Sequence, residues 1–132
     1  VEVQKRIGPS GKPWDQSSAI QALVSGKWLD HSEDQVPTRR NYWDFRRNKI
    51  DIDNNGKTDG NEVRVRANFP GARSRVFAWE VNEEGGLTVK YPFAKAYREV
   101  YFEYDFDQAR FILKKGGALA QYLKPAKRQI EK

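Results

Sequence analysis

The chain has 132 residues, of which 38% are hydrophobic and 13% aromatic, and it carries a formal net charge of +6. This length suits one domain with a core of its own. The absence of cysteine excludes a disulfide framework and a thiol nucleophile, and no apolar run is long enough for a membrane span. Because the chain starts at Val1 and contains no methionine, we expect a processed product. Removal of a secretory leader would make it extracytoplasmic: secreted, periplasmic or at the cell surface.

The first predicted elements are an irregular segment and a short helix. Residues 1–14 are rich in glycine and proline, which disfavour regular structure. Asp15 is a suitable N-cap, and the apolar residues that follow it fall on one face of a helix. We therefore predict a helix from Asp15 to about Val24, ended by Gly26.

From Lys27 onward the pattern is almost entirely β. Short runs rich in β-branched and aromatic residues alternate with turn residues. The predicted strands cover residues 27–29, 41–45, 49–53, 62–69, 74–81, 87–91, 98–106, 110–114 and 119–123. Residues 46–48 are predicted to form a tight turn, and residues 126–132 a charged C-terminal tail. Each strand places its apolar residues on one face, as Phe77, Trp79 and Val81 do.

These elements predict a mostly β fold of eight or nine antiparallel strands with a short N-terminal helix. A meander of this size has two unpaired edges unless it closes, and closure into an up-and-down β-barrel removes both. We assign residues 15–125 to one barrel domain, flanked by the irregular segment and the tail. An eight-stranded barrel is just wide enough to be filled by side chains or to hold one small ligand.

The run Gly26-Lys27-Trp28 follows a predicted helix and opens the first strand, as the Gly-x-Trp signature does in lipocalins. With the aromatic and aliphatic runs at residues 42–45, 79–81, 87–89, 111–113 and 122–124, the chain resembles small lipocalin-like domains of secreted bacterial proteins. The resemblance implies that Trp28 packs at the closed end of the barrel, under a basic residue near the last strand, for which Lys124 and Lys127 are the candidates. The chain is shorter than typical lipocalins and lacks their disulfide, which argues against a roomy ligand cavity.

Residues 51–62 are the most informative motif. Their sequence, Asp-Ile-Asp-Asn-Asn-Gly-Lys-Thr-Asp-Gly-Asn-Glu, fits the calcium-loop pattern D-x-[DN]-x-[DN]-G-x5-E at every position. Calcium prefers about six to eight oxygen ligands. The pattern assigns it the side chains of Asp51, Asp53, Asn55, Asp59 and Glu62 and the main-chain carbonyl of Lys57.

The residues that flank this loop alternate with period two, which indicates strands rather than helices. The loop therefore resembles the strand-flanked or isolated calcium loops of thrombospondin type 3 repeats and dockerins. The alternative is a polar hairpin loop without a metal, since Asp, Asn and Gly are common in turns.

No catalytic set is evident, and we expect no enzyme. The single histidine, His31, lies in a polar stretch, and the sequence contains neither a local Ser-His-Asp signature nor a Gly-rich phosphate loop. We expect a monomeric binding or interaction domain, stabilised by calcium, with a protein or a small ligand as its partner.

Two alternatives remain open. The first is a barrel that binds nucleic acid or another polyanion through its concentrated arginines, although Arg64 and Arg66 could simply form the solvent face of a strand. The concentrated arginines are Arg39, Arg40, Arg46, Arg47, Arg64, Arg66, Arg73 and Arg75. The second alternative is a carrier of a small ligand.

Overall fold

A computed structural model of the chain describes residues 14–31, 41–67, 71–93, 96–116 and 122–125. Within these ranges the elements are α1 (Gln16–Val24), β1 (Trp28–His31), β2 (Asn41–Ile50), β3 (Gly60–Ala67), β4 (Ser74–Val81), β5 (Leu87–Phe93), β6 (Ala96–Asp105), β7 (Arg110–Lys115) and β8 (Tyr122–Pro125). The predicted C-terminal tail and residues 1–13 of the predicted irregular segment lie outside the described residues.

The eight strands form one closed antiparallel barrel in sequence order. Each strand pairs with the next, and β1 also pairs with β8, with Trp28 opposite Pro125. Closure gives hydrogen-bond partners to the backbone N–H and C=O groups that the two edge strands of an open meander would expose. The predicted mostly β, up-and-down barrel with a short N-terminal helix is confirmed.

The helix forms as predicted. Oδ1 of Asp15 accepts a hydrogen bond from the backbone N–H of Ser18 at 2.8 Å and so caps the first turn. Ala19 and Leu23, one turn apart on the same face, are completely buried. Nε2 of Gln16 donates to the carbonyl oxygen of Val81 at 2.8 Å, which fixes α1 beside the end of β4. We call this the helix end of the barrel.

None of the described helical segments has the length and apolarity needed to cross a membrane.

The described interior of the barrel is filled by large side chains. Trp43 and Phe77 meet with ring centroids 5.8 Å apart, and Phe45 and Trp79 with centroids 5.5 Å apart. The most completely buried residues, each less than 2% exposed, include Trp43, Trp79, Phe102, Phe111, Leu87 and Leu123. The interior is thus a packed core, as the small strand number allows.

The predicted turn at residues 46–48 is wrong. β2 is a single ten-residue strand, Asn41–Ile50, whose pairing with β3 shifts register between Phe45 and Lys49. Residues 46–48 are exposed and polar, as in a turn, but a β-bulge accommodates such residues without ending the strand. The predicted strand over 49–53 accordingly ends at Ile50, and the loop to β3 begins at Asp51.

Trp28 is 3% exposed and packs edge-on against Phe111, with ring centroids 5.3 Å apart. Its predicted burial is therefore confirmed. Lys124 pairs with Leu29 and so faces the opposite side of the sheet from Trp28. Lys127, the other candidate for a basic residue above Trp28, lies outside the described residues.

Candidate metal site

Three aspartates converge in the loop between β2 and β3. Asp51, Asp53 and Asp59 each offer one carboxylate oxygen, and these oxygens lie within 4.8 Å of one another. All three residues are half-buried. The structure therefore brings together three of the six predicted ligands.

The carboxylates also organise the backbone of the loop. Asp51 accepts hydrogen bonds from the backbone N–H of Gly56 at 2.7 Å and of Asn55 at 3.2 Å. Asp59 accepts one from the N–H of Ile52 at 2.9 Å. Gly56 has φ of +89°, so the sharp turn uses the left-handed region where glycine carries no steric penalty.

Hydrogen bonding keeps Asp51 ionised. Partial burial alone would raise the pKa of its carboxyl group. The hydrogen bond from the backbone N–H of Gly56, followed by those with the side chain of Asp53 and the backbone N–H of Asn55, outweighs this effect, and the net pKa of Asp51 lies below its ordinary value.

A lysine from a distant strand inserts into the same cluster. Nζ of Lys90 lies 2.6 Å from Oδ1 of Asp59 and 3.4 Å from Oδ2 of Asp53. The hydrogen bond from Lys90 is the main reason why the pKa of Asp59 is lowered, and the same bond raises the pKa of Lys90. The loop thus already has a counter-cation within the chain.

The loop reaches Lys90 by folding back across the outside of the barrel. Ala78 lies opposite both Glu62 and Lys90 in the sheet, so it faces outward, yet it is only 1% exposed. The hydroxyl of Tyr97 on β6 donates to the carbonyl oxygen of Ile52 at 2.9 Å. The contacts of Lys90 and Tyr97 hold the loop against β5 and β6 on the outside of the barrel.

Glu62 belongs to a different cluster. It lies on β3, is 6% exposed, and accepts a hydrogen bond from Nδ2 of Asn48 at 3.0 Å. Its other oxygen lies 2.6 Å from Nε of Arg64. The hydrogen bond from Asn48, followed by that from Arg64, lowers the pKa of Glu62. Glu62 is therefore held by the β2 bulge and not among the three convergent carboxylates.

The other two predicted ligands lie at the exposed tip of the loop. Oδ1 of Asn55 accepts from the backbone N–H of Lys57 at 2.8 Å, and Nδ2 of Asn55 donates to Oδ2 of Asp53 at 3.3 Å. Asn55 therefore contacts the cluster through its amide nitrogen. Its oxygen stabilises the turn.

One oxygen in the cluster has no hydrogen-bond partner among the described residues. Oδ1 of Asp53 is buried and receives no hydrogen bond from any described residue. Three carboxylates against one ammonium also leave two formal negative charges uncompensated within the group. Hard divalent cations such as Ca²⁺ bind carboxylate oxygens of this kind.

The arginine surface is partly neutralised. Arg46 pairs with Asp44 at 2.9 Å, and Arg64 pairs with Glu62. The guanidinium of Arg75 lies 5.6 Å from the ring centroid of Phe77. Arg39 and Arg40 lie outside the described residues.

Sequence analysis missed two important residues, Asp30 and Lys90. Asp30 is 1% exposed and accepts hydrogen bonds from the backbone N–H and Nδ2 of Asn41 and from Nε1 of Trp43, at 2.8 to 3.0 Å. Its position two residues after Trp28 on a strand was an available signal for an inward orientation. Lys90 had no local signal, because its partners lie 31 and 37 residues away in sequence.

The closed eight-stranded barrel with one short helix is compatible with the lipocalin-like architecture. Comparison of the chain with known protein families, with curated proteins and with solved structures found no match.

Proposed function

We propose that this chain is a non-enzymatic binding domain of a secreted protein, and that its β2–β3 loop binds a calcium ion that stabilises the fold. The observation that carries the proposal is the convergence of Asp51, Asp53 and Asp59, with oxygens within 4.8 Å of one another, in a loop that fits the calcium pattern. The partner that the barrel recognises is a protein or a small molecule.

The electrostatics of the cluster support a divalent ion. The uncompensated charge of the three carboxylates equals the charge of one Ca²⁺. The buried, unpartnered Oδ1 of Asp53 would gain a ligand bond in place of the hydrogen bond it lacks. Backbone carbonyls and water would complete the shell of about six to eight oxygens.

Lys90 limits how tightly the ion can bind. Its ammonium group lies against Asp53 and Asp59, where the cation must also approach. A lysine is a point charge on a flexible stem and can withdraw, but the ion pairs it gives up reduce the net gain. We therefore expect a weak site, with a dissociation constant of about 10⁻⁴–10⁻³ M. That range is typical of extracellular calcium modules, as the proposed extracytoplasmic location requires.

Calcium should raise the thermal stability of the full chain. At about 10 mM Ca²⁺ the expected gain in unfolding free energy is about 1–3 kcal/mol, which corresponds to several degrees in melting temperature. A chelator should reverse the rise, and Mg²⁺ should reproduce it poorly because it demands a stricter octahedral geometry. Calorimetric titration gives the affinity directly.

Two variants test which carboxylates form the site. Asp53→Asn should abolish the calcium response, because it removes the charge and one oxygen from the cluster. Glu62→Gln should lower stability but leave the response intact, since Glu62 is held by Asn48 and Arg64. No heat and no thermal shift in the wild-type chain up to about 10 mM, well above the weakest extracellular affinities, would refute calcium binding. If Glu62→Gln abolished the calcium response and Asp53→Asn did not, Glu62, the last residue of the calcium pattern, would be a ligand and the three-aspartate cluster would not be the site.

A further inference from the structure

A groove with a volume of about 420 Å³ lies between α1 and the helix end of the barrel. The helix contributes Ala22 and Ser25, and the start of β1 contributes Trp28. The opposite wall consists of Tyr104, Ala109 and Pro125. The groove shares no residue with the calcium loop, and its volume falls in the range of small-molecule sites, about 300–1,000 Å³.

The groove is open because the residues that border it are small. Leu23 points into the core, whereas its neighbour Ala22 lines the groove with a single methyl group. A Cβ added at Gly26 would meet no atom within 4 Å. The described interior is filled by large buried side chains, which favours the groove as the place for a small ligand.

Tyr104 provides a rigid wall with an unused polar group. Its ring stacks on Trp14 at 4.1 Å and meets Phe111 edge-on at 5.2 Å. Burial is the main reason why the pKa of its hydroxyl is raised. That hydroxyl makes no hydrogen bond with the described part of the chain, so it is free to donate one to a ligand.

Lys27 gives the groove a positive rim. Its side chain is exposed, lines the groove and forms no ion pair within the described ranges. The carbonyl end of α1 borders the same groove and carries partial negative charge. A negative group on a ligand would therefore be favoured only near Lys27.

The backbone supports the same site. Ala109 has φ of +53°, a left-handed conformation that is unusual for a residue other than glycine, asparagine or aspartate. Glycine would relieve this strain, but it would also remove the methyl group that Ala109 presents to the groove. Ala109 ends the turn between β6 and β7, so this turn geometry holds one wall of the groove in place.

We infer that this groove binds a small amphipathic organic anion. Its apolar part packs against Ala22, Trp28 and Pro125, and its acidic group lies at Lys27, with Tyr104 as hydrogen-bond donor. The site is independent of calcium and differs from a carrier that holds its ligand inside the barrel.

Two fluorescent probes with the same ring system test this inference on the full chain. 1-Anilinonaphthalene-8-sulfonate carries a sulfonate, and N-phenyl-1-naphthylamine is its neutral counterpart. Both should bind, and Ala22→Trp should abolish the binding of both by filling the groove. Lys27→Gln should lower the affinity for the sulfonate probe about two- to fivefold, as expected for one exposed charge pair. It should leave the affinity for the neutral probe unchanged.

The controls separate the groove from other surfaces. Ser17→Trp places the same bulk on α1 at an exposed position outside the groove and should change neither affinity. Near-ultraviolet circular dichroism checks that the Ala22→Trp variant folds. If that variant does not fold, Ser25→Trp is used to fill the groove instead. Failure of both probes to bind, or unchanged binding in the groove-filling variant, would overturn the inference. Equal effects of Lys27→Gln on the affinities for the two probes would overturn the inference that the ligand is an anion.

Discussion

Asp30 shows how one residue fixes a junction of the barrel. Its buried carboxylate receives two hydrogen bonds from Asn41 and one from the indole of Trp43. Buried hydrogen bonds to a charged acceptor are stronger than neutral ones, and donors left unpaired in the interior are costly. Asp30 therefore joins the end of β1 to the start of β2 from the inside.

Asp30→Ala should lower the unfolding free energy by about 2–4 kcal/mol, because it leaves the buried indole N–H of Trp43 and two half-buried donors of Asn41 without their acceptor. Urea denaturation monitored by tryptophan fluorescence measures the change. Asp107→Ala, at an exposed position, is the matched control and should stay within about 0.5 kcal/mol of the wild type. Similar losses for the two variants would show that Asp30 has no special role.

At the scale of elements, the β2–β3 loop is fastened to β5 and β6 by the ion pairs of Lys90 and by the hydroxyl of Tyr97. The folded-state pKa of Asp59 is lowered, so its contribution to stability is present above the ordinary value of 3.8 and is lost as the pH falls through the lowered pKa. The folded-state pKa of Lys90 is raised from 10.5, so its contribution is complete below that value and is lost in more alkaline solution.

Lys90→Gln should move the apparent pKa of Asp59 upward, because its main hydrogen-bond donor and nearest positive charge are removed. A carboxyl-carbon NMR titration without calcium reads this shift directly. The same variant should bind calcium more tightly than the wild type, since no ammonium competes for the carboxylates. Lys49→Gln, an exposed lysine on β2, is the control. An unchanged Asp59 titration in Lys90→Gln would contradict the observed ion pair.

Local signals in the sequence were sufficient for most elements. The Asp15 cap and the spacing of Ala19 and Leu23 predicted α1, and strict alternation predicted β4 at its observed bounds, Ser74–Val81. The bulge in β2 was missed because exposed polar residues are equally typical of turns. Residues 51–59 were recognised by their pattern, but the pattern has no information about Arg64 or Asn48, which hold Glu62 outside the cluster.

At the scale of the whole molecule, the net charge of +6 results from 24 lysines and arginines against 18 aspartates and glutamates. Arg46 and Arg64 are paired with acids, and the acidic β2–β3 loop is paired with Lys90 of β5. Polyanion binding needs several cations that act together and release counterions. Within the described residues, the ion pairs of Arg46 and Arg64 reduce the number of arginines available for phosphate contacts.

We therefore expect only weak, sequence-independent binding of nucleic acid, which should vanish near about 0.15 M salt. Fluorescence anisotropy with labelled single-stranded and duplex oligonucleotides over a salt series measures this. Arg66→Gln, an exposed arginine of β3, should reduce the low-salt affinity only slightly. Submicromolar binding at about 0.15 M salt, tighter than the usual non-specific range, would make the arginine surface the functional one.

The pairing of β1 with β8 also determines how the barrel responds to mechanical load. Trp28 and Pro125 lie directly opposite each other, and the two strands are antiparallel. A force that pulls these two residues apart acts across the ladder at one end, so its hydrogen bonds break one after another. Shear along the strands would instead load all of them together. The seam that closes the barrel would thus unzip under a force applied between these two residues.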